Sequence, residues 1–319
     1  MPDTSLSAAP PPAAGKFRDP DWTAKGELRA SVAPTALTTL WFNTGSLCNI
    51  TCDNCYIESS PSNDRLAYLS LDQVVTFLDE IGREQLPVAE IGFTGGEPFM
   101  NRQLPAMLRA VLGRGLRALV LTNAMKPMQQ RRAELLVLKE RFGPSLTIRV
   151  SIDHPMSARH EELRGAGTWA PMLAGLRWLA AHGFRLHVAG RTRWEEAEVA
   201  ERAAYARLFA TEGIGIDAAD PVALMLFPEM DPARDVPEIT TRCWDILGVS
   251  PQAMMCASSR MVVKRKGAAA PTVVPCTLLP YDPAFEMGPT LAAAHRPVKL
   301  NHPFCAQFCV LGGASCAAR

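Results

Sequence analysis

The stretch Val88-Ala89-Glu90-Ile91-Gly92-Phe93-Thr94-Gly95-Gly96-Glu97-Pro98 joins an apolar run to two glycines and then to a helical pattern. A short apolar run of this kind is typical of a buried strand, and the glycines mark a turn at its carboxyl end. Because glycine has no Cβ atom, the backbone of Gly95 and Gly96 can approach a ligand closely. Ligands of open α/β sheets bind at the carboxyl ends of the strands. The stretch therefore predicts a parallel sheet with a binding site beside this turn.

Apolar runs and amphipathic helical patterns alternate on both sides of this stretch. The predicted strands cover residues 37–43, 88–94, 117–122, 146–153, 185–191 and 222–227. A helical pattern over residues 71–85 opens with Ser70 and Gln73 at the spacing of a capping box. Further helical patterns begin near Pro105, Met128, Trp169 and Trp194. Six strand–helix units with right-handed crossovers predict an α/β fold, a partial (βα)6 parallel barrel rather than a closed barrel of eight units.

Three cysteines, Cys48, Cys52 and Cys55, follow the first predicted strand at the spacing C-x3-C-x2-C. Three thiolates can ligate three irons of a [4Fe–4S] cube and leave the fourth iron open to a small molecule, whereas electron-carrier clusters normally have four cysteine ligands. The spacing therefore indicates reactivity at the cluster. Cys52 and Cys55 alone would also suit half a zinc site or a redox dithiol, but no second cysteine pair follows within the next hundred residues.

The three cysteines and the later Gly-Gly-Glu-Pro turn, in this order, resemble the radical SAM superfamily. The resemblance implies that the cysteines hold a [4Fe–4S] cluster chelated by S-adenosylmethionine (SAM). It also implies that the turn receives the methionyl amino group, at Gly95, Gly96 and Glu97. The family usually has an aromatic residue just before the third cysteine, where this chain has Asn54. Tyr56, on the other side of that cysteine, is expected to supply the contact with adenine.

Polar residues also stand at the ends of later predicted strands. Asn123 follows the third strand, Ser151 lies near the end of the fourth, and Arg164 opens an Arg-Gly pair further on. The last two resemble the Ser-Leu-Asp-Gly and Arg-Gly signatures of radical SAM proteins with C-terminal cluster domains. The resemblance implies that these residues help to hold the ribose and carboxylate of SAM. The alternative is that a serine or asparagine at a strand end caps a helix.

The last 64 residues contain five of the nine cysteines, Cys256, Cys276, Cys305, Cys309 and Cys316. Two β-rich runs, residues 261–267 and 271–275, lie between the first two and predict a hairpin with a thiol at each base. The five thiols are enough to complete a four-thiolate site, although structural zinc would suit such ligands too.

This layout resembles a twitch domain, the shortened form of the SPASM domain, which carries one auxiliary [4Fe–4S] cluster. The expected ligands are Cys256, Cys276, Cys305 and Cys309, and Cys316 could replace Cys309. Cys243 stands apart from both groups, as a buried small side chain or a catalytic thiol. The expected division of the chain is a disordered Pro/Ala-rich tail over residues 1–35, a core over 36–230, a linker over 231–255 and a cluster domain over 256–319.

Composition limits the classes of partner. The chain of 319 residues is 48% hydrophobic and has a formal net charge of +1, with only short basic clusters. A net charge this close to zero indicates no large basic surface for nucleic acid or an anionic membrane. It favours a small-molecule or peptide substrate. Its first residues have neither the basic nor the apolar region of a signal peptide, so the cysteines are expected in the reducing cytoplasm.

The expected activity is that of a radical SAM oxidoreductase. The resemblance implies that a flavodoxin or ferredoxin-type donor reduces the first cluster, that SAM is cleaved to methionine and a 5′-deoxyadenosyl radical, and that this radical abstracts hydrogen from the substrate. The auxiliary cluster would then accept an electron, giving net oxidation. One alternative is a maturase that forms thioethers or crosslinks in a peptide. Another is a non-catalytic iron–sulfur scaffold or electron carrier, which would leave Gly95 and Gly96 unexplained.

Overall fold

The computed structural model of the protein describes residues 15–231 and 233–315. Part of the predicted tail, residues 1–14, and the candidate ligand Cys316 lie outside the described residues. The described strands are β1 (Ser31–Val32), β2 (Thr39–Asn43), β3 (Glu90–Thr94), β4 (Arg117–Thr122), β5 (Leu146–Ser151), β6 (Arg185–Arg191), β7 (Leu224–Phe227), β8 (Ser259–Val263), β9 (Thr272–Val274) and β10 (Val298–Lys299).

Helices alternate with the strands of the core. The described α-helices are α1 (Leu71–Arg83), α2 (Leu104–Leu112), α3 (Lys126–Gln129), α4 (Arg132–Phe142), α5 (Ser157–Arg164), α6 (Trp169–Ala181), α7 (Glu198–Glu212), α8 (Cys243–Leu247) and α9 (Met255–Ser258). Short 3-10 turns cover Pro98–Met100, Gly143–Ser145, Pro251–Ala253 and Pro283–Phe285, and a π-helical turn covers Cys305–Val310. The capping box at Ser70 and Gln73 is confirmed at the start of α1.

The described strands other than β1 and β10 form one eight-stranded sheet in the order β7-β6-β5-β4-β3-β2-β8-β9. Strands β2 to β7 are parallel to their neighbours, as six strand–helix units require. The sheet has two ends, β7 and β9, so the barrel is partial and the predicted fold class is confirmed. Because all six core strands run in the same direction, their carboxyl ends share one edge, and the loops that follow them meet there.

The predicted C-terminal hairpin is confirmed, and it continues the core sheet. Strand β8 pairs antiparallel with β9 and parallel with β2, with Leu40 opposite Arg260. The expected boundary at residue 256 therefore does not separate two sheets. The expected linker before it contains α8, and the side chains of Val236 and Ile239 within it are buried against the core.

The expectation of a loosely docked tail is wrong for residues 15–35. Strand β1 pairs antiparallel with β10, and the side chains of Ala30 and Val32 are fully buried. The buried guanidinium of Arg29 pairs with the Glu238 carboxylate at 2.6 Å and donates to the Leu300 carbonyl. Composition alone could not show this docking, because its partners lie more than 200 residues away in the chain. No helix in the described ranges is long and apolar enough to cross a membrane.

Candidate active site

A cavity of about 160 Å³ lies where the loops after the core strands meet. Nine of the residues predicted from the sequence line it: Cys48, Cys52, Cys55, Tyr56, Gly95, Gly96, Asn123, Ser151 and Arg164. They come from loops or strand ends after four different strands, β2 to β5, or from the end of α5. The fold thus brings together residues that are up to 116 positions apart in the sequence.

The cysteine loop is held by backbone hydrogen bonds on both sides of the cavity. The N–H of Cys48 donates to the Ser60 carbonyl at 3.0 Å, and the N–H of Asp53 donates to the Leu163 carbonyl at 2.7 Å. Burial raises the pKa of the Cys48 thiol to about 12 and also raises the pKa of Cys52. Metal coordination requires thiolates, so binding of iron at this loop would release protons.

The Gly95–Gly96 turn packs directly on the backbone that leads into the cysteine loop. Gly95 has φ +138°, and a Cβ atom on Gly96 would lie 2.1 Å from the Leu47 carbonyl oxygen. The N–H of Gly96 donates to the Gly45 carbonyl at 2.8 Å, and that of Glu97 donates to the Leu47 carbonyl at 3.2 Å. The turn therefore fixes the start of the loop at a distance that only glycine permits.

Glu97 does not line the cavity, although the sequence placed it with the two glycines. Its buried carboxylate accepts hydrogen bonds from the Thr122 hydroxyl at 2.8 Å, from the Asn123 N–H at 2.9 Å and from the Phe99 N–H at 3.2 Å. Burial raises the pKa of Glu97 to about 7, although these hydrogen bonds lower it. The side chain therefore ties the end of β3 to the end of β4 from beneath the site.

Two arginines meet a buried aspartate on the opposite wall. Arg164 donates to both oxygens of Asp153, at 2.8 and 2.9 Å, and Arg191 lies 3.6 Å from the same carboxylate. Burial alone would raise the pKa of Asp153, but the two guanidinium groups hold it below its usual value. Asp153 and Arg191 line the cavity and were missed as site residues in the sequence. Their positions just after β5 and at the end of β6 were the available signal.

Arg191 also supports the cysteine loop. Its guanidinium donates to the carbonyls of Asp53 and Asn54, each at 3.3 Å, and lies 5.3 Å from the centre of the Tyr56 ring. The Asn54 amide bonds to Glu229 at 2.7 Å, whereas the Tyr56 ring lines the cavity. The adenine contact at Tyr56 thus stays a prediction, and the position of the ring is compatible with it.

Two polar side chains remain to be placed in the cavity. The amide of Asn123 donates to Asn49 at 2.9 Å and lies 4.0 Å from the Cys48 sulfur. The buried hydroxyl of Ser59 lines the cavity and has no hydrogen-bond partner among the described residues. A buried hydroxyl without a partner is costly, so a ligand that bonded to Ser59 would remove that cost. Sequence inspection did not single out Ser59.

A second, apolar cavity lies between four C-terminal cysteines, Cys256, Cys276, Cys305 and Cys309. The rest of its lining is hydrophobic and includes Leu278, Leu300 and Phe304. Burial raises the pKa of Cys256 to about 11 and that of Cys305 further still. The cavity measures about 20 Å³, room for about one water molecule, so these side chains would have to move apart to admit a cube.

Among the described residues, no group of three or more His, Cys, Asp or Glu side chains is close enough to hold a single metal ion. This holds for the Cys48 loop as well as for the C-terminal set. The choice between zinc and a cube at the C-terminal cysteines stays a prediction. Cys243 belongs to neither cavity, and its sulfur accepts a hydrogen bond from the Thr240 N–H.

An aromatic contact joins the first cavity to the turn that carries two cysteines of the second cavity. The Tyr56 ring of the first cavity meets Phe308 edge-on, with ring centres 6.2 Å apart, and Phe308 also packs on Phe227. Phe308 lies in the π-helical turn between Cys305 and Cys309. The Gln307 side chain in the same turn bonds to the backbone N–H and carbonyl of Asp231, beyond the end of β7. The turn is therefore anchored to the rim of the barrel.

Comparison with protein families decides the membership of the chain. The sequence profile of the Radical SAM superfamily matches residues 42–203, which include the cysteine loop and all the predicted SAM contacts. The chain belongs to the radical SAM superfamily. Members of this superfamily are enzymes, and membership implies a [4Fe–4S] cluster and SAM.

Three similar proteins extend the comparison. The subtilosin biosynthesis protein AlbA of Bacillus subtilis is 29% identical over 160 residues, which are 49% of this chain and 34% of AlbA. Streptococcus suis SuiB, solved with SAM, superposes with a TM-score of 0.55 at 12% identity over 81% of this chain and 63% of SuiB, and it has also been solved with its precursor peptide SuiA. The protein anSMEcpe, solved with SAM, superposes with a TM-score of 0.56 at 14% identity over 84% and 80% of the two chains.

These likenesses have different reach. The two solved structures have the same fold as this chain. Because they are only 12% and 14% identical to it, the likeness shows the fold alone. The chain spans 34% to 39% of the length of the curated relatives that it matches. The residues of the first cavity fit the family's cofactors on the structure itself, because three cysteines, a close backbone turn and a buried hydroxyl that lacks a partner among the described residues line the same space.

Proposed function

We propose that this radical SAM enzyme oxidises a peptide substrate with the help of a second [4Fe–4S] cluster, held by Cys256, Cys276, Cys305 and Cys309. The observation that carries the proposal is that two separate sets of cysteines each line a cavity, and that Tyr56 of the first cavity contacts Phe308, which lies in the turn between Cys305 and Cys309. An electron carrier would need neither the open cluster site nor the glycine turn beside it.

The residues of the first cavity have distinct tasks in this proposal. Cys48, Cys52 and Cys55 would ligate the cluster, and the backbone at Gly95 and Gly96 would receive the methionyl amino group. The chemistry that cluster and SAM supply when bound is a 5′-deoxyadenosyl radical, formed with one electron from a flavodoxin or ferredoxin-type donor, which takes a hydrogen atom from the substrate. The buried walls of the cavity would exclude water from that reaction.

The polar wall would orient SAM. Arg164 and Arg191 both lie beside Asp153, and Arg191 also lies 3.5 Å from the Glu229 carboxylate, so these arginines would offer N–H donors rather than a surplus of positive charge to the carboxylate of SAM. Asn123 and Ser151 face the same space from neighbouring strand ends. The Ser59 hydroxyl, which has no partner within the described residues, could bond to SAM or to the substrate.

The second cavity would supply electron transfer. A cube ligated by four thiolates has no open iron for a substrate, so its chemistry would be to accept an electron. In the proposed net oxidation, the substrate would lose a hydrogen atom to the 5′-deoxyadenosyl radical, and the remaining electron and proton would go to the second cluster and to solvent. The Tyr56–Phe308 contact supports this role, because it packs a side chain of the first cavity against the turn that contains Cys305 and Cys309.

Two relatives support a peptide as the substrate class. AlbA is named for the biosynthesis of the bacteriocin subtilosin, and SuiB has been solved with a precursor peptide. The test is to incubate the enzyme with SAM, reductant and each short peptide encoded beside its gene, and to follow the peptide mass. Loss of hydrogen from a peptide would support the proposal. Oxidation of a small metabolite instead would keep the reaction and change the substrate class.

We expect the anaerobically reconstituted protein to bind about eight irons and to cleave SAM to 5′-deoxyadenosine with dithionite. Changing Cys48, Cys52 and Cys55 together to Ala should abolish cleavage and leave about four irons, because the C-terminal thiols are untouched. Cys243→Ala, which alters a cysteine outside both cavities, should change neither result. Iron assay and chromatography of the nucleoside products measure both quantities.

Three outcomes would contradict parts of this proposal. Undiminished cleavage by the triple variant would remove the catalytic role of the loop, and absence of cleavage by the wild type would favour an electron carrier. If the triple variant retained no iron, or if zinc filled the C-terminal site, the second cluster would be wrong while the radical chemistry could stand.

A further inference from the structure

Arg260 is a buried cation in strand β8, which begins three residues after Cys256 of the second cavity. Its side chain is 3% exposed, and its guanidinium donates to four backbone carbonyls, those of Cys256, Ser259, Ala294 and Arg296, at 2.5 to 3.2 Å. The hydrogen bonds of the group are thus satisfied. Its positive charge is not neutralised, because the carbonyl groups carry dipoles and no net negative charge.

No carboxylate of the described residues pairs with Arg260 in an ion pair. The contrast with Arg29 is direct, since that equally buried guanidinium is neutralised by Glu238 at 2.6 Å. Buried charges in proteins are paired or lie beside a metal centre, because an isolated charge is strongly disfavoured in an apolar interior. Arg260 is therefore a buried cation without a carboxylate partner among the described residues.

The groups that act electrostatically on Arg260 and can become anionic are cysteines. Arg260 interacts electrostatically with Cys256 and Cys276, and it lies four residues after Cys256, whose carbonyl it holds. A cube with four thiolate ligands carries net negative charge, since the thiolates outweigh the charge of the iron–sulfur core. Such a cluster would supply the missing anion to Arg260.

We propose that Arg260 is a positioning residue that balances the charge of the second cluster and raises its reduction potential. The inference rests on the proposed function, because it requires the four C-terminal cysteines to hold a cluster. A nearby cation stabilises the reduced cluster more than the oxidised one, since the reduced form is more negative. An acceptor of electrons from a substrate radical benefits from that higher potential.

The experiment uses the full chain with Cys48, Cys52 and Cys55 changed to Ala, so that only the C-terminal cluster remains. Iron content is measured, and the midpoint potential is determined by redox titration followed by EPR. Arg260→Gln keeps hydrogen-bond donors but removes the charge, whereas Arg260→Lys keeps the charge and loses the planar fork. Arg296→Gln, which alters an exposed arginine of the neighbouring loop, is the matched control.

We expect Arg260→Gln to lower the equilibrium constant for reduction at least tenfold, or about 59 mV for a one-electron couple, or to lose the cluster. Arg260→Lys should keep the iron and restore most of the potential, and Arg296→Gln should match the parent. A potential in Arg260→Gln equal to that of the parent would overturn the inference. So would equal losses of iron in the Gln and Lys variants, since the role would then be structural.

The failure of the proposed function would look different. If the parent protein, with Arg260 intact, held no C-terminal iron, the second cluster would be wrong and the inference would fall with it. If the parent held the cluster and only the charge effect were missing, the proposed function would stand and Arg260 would be a structural tie among three segments.

Discussion

At the scale of single residues, glycines decide how closely the Gly95–Gly96 turn approaches the backbone that leads into the cysteine loop. A Cβ atom on Gly96 would meet three backbone atoms of Ser46 and Leu47 within 2.9 Å. Backbone atoms cannot turn aside as a flexible side chain can, so the loop itself would have to shift. The requirement for glycine thus comes first from the contact between loops, and the ligand site benefits from the same small residue.

We expect Gly96→Ala to lower the free energy of unfolding by about 2 kcal/mol or more, because overpacking of this kind displaces backbone. The shifted loop should also reduce the iron bound at Cys48, Cys52 and Cys55. Gly82→Ala is the control, since nothing lies within 4 Å of its added Cβ atom in helix α1 and the substitution should stabilise by about 0.5 to 1 kcal/mol. Urea denaturation and iron assay test both variants. An equal stability of Gly96→Ala and wild type would contradict the packing argument.

Two residues of the polar wall, Asp153 and Arg191, could not be identified as site residues from the sequence. Arg164 was identified from its resemblance to a signature, but its partner Asp153 was not, although the two side chains make a double hydrogen bond. Arg191 has no signature around it and is recognised only through its contacts with Asp153 and the cysteine loop. Ion pairs between distant residues leave no periodic pattern in a sequence.

At the scale of elements, the N-terminal segment is part of the folded protein. Strand β1 pairs antiparallel with β10, the strand that precedes the cysteines of the π-helical turn. Arg29, just before β1, forms an ion pair with Glu238. Burial would raise the pKa of Glu238, but the N–H groups of Phe17 and Ala24 and the Arg29 guanidinium lower it overall. The segment therefore connects the residues after the core to the second cavity.

Arg29→Met should lower the free energy of unfolding by about 3 to 5 kcal/mol, because it leaves the Glu238 carboxylate without its cation. The control is Lys16→Ala, which removes the exposed ion pair with Asp235 and should change stability by less than about 0.5 kcal/mol. Chemical denaturation of the reconstituted protein gives both values. If both variants were equally stable, the Arg29–Glu238 pair would not be what docks the segment.

At the scale of the whole molecule, buried histidines in different elements make stability depend on pH. Burial lowers the pKa of His160, in α5, and of His187, in β6, each to about 4. Both nitrogens of the His160 ring lack a hydrogen-bond partner among the described residues. The folded protein thus binds fewer protons at these sites than the unfolded chain, whose histidines titrate near pH 6.5.

The contribution of these histidines to stability should therefore be full above about pH 6.5 and be lost as the pH drops toward 4, by about 1 to 2 kcal/mol for each histidine at pH 5. The raised pKa of Glu97 acts in the opposite direction but is common to all variants. Relative to wild type, the double variant His160→Phe, His187→Phe should therefore lose less stability, or gain more, as the pH falls, and His160→Phe alone should be intermediate. Thermal midpoints between pH 7.5 and 5 measure the slope. The exposed His182 provides the control, since His182→Gln should leave the slope unchanged. A parallel profile of wild type and double variant would disprove the assignment.

The sequence by itself determined the six core strands and indicated the strand ends at which the candidate active site lies. Apolar runs predicted all six core strands, with the bounds of β4 and β6 matched, because burial on both faces of a parallel strand leaves a local record in the sequence. The cysteine spacing and the glycine turn likewise indicated the cluster loop, since ligation by one short loop is a local property. These features depend on neighbours within a few residues.

Only the tertiary structure decided which groups meet across long distances. It turned Glu97 away from the cavity, joined the hairpin to strand β2, docked residues 15–35 and brought Arg260 near Cys276 as well as Cys256. Each of these depends on counter-charges, carbonyls or strand edges supplied from far along the chain. Such partners satisfy buried polar groups one pair at a time, so they follow no sequence period and become visible only when the chain is folded.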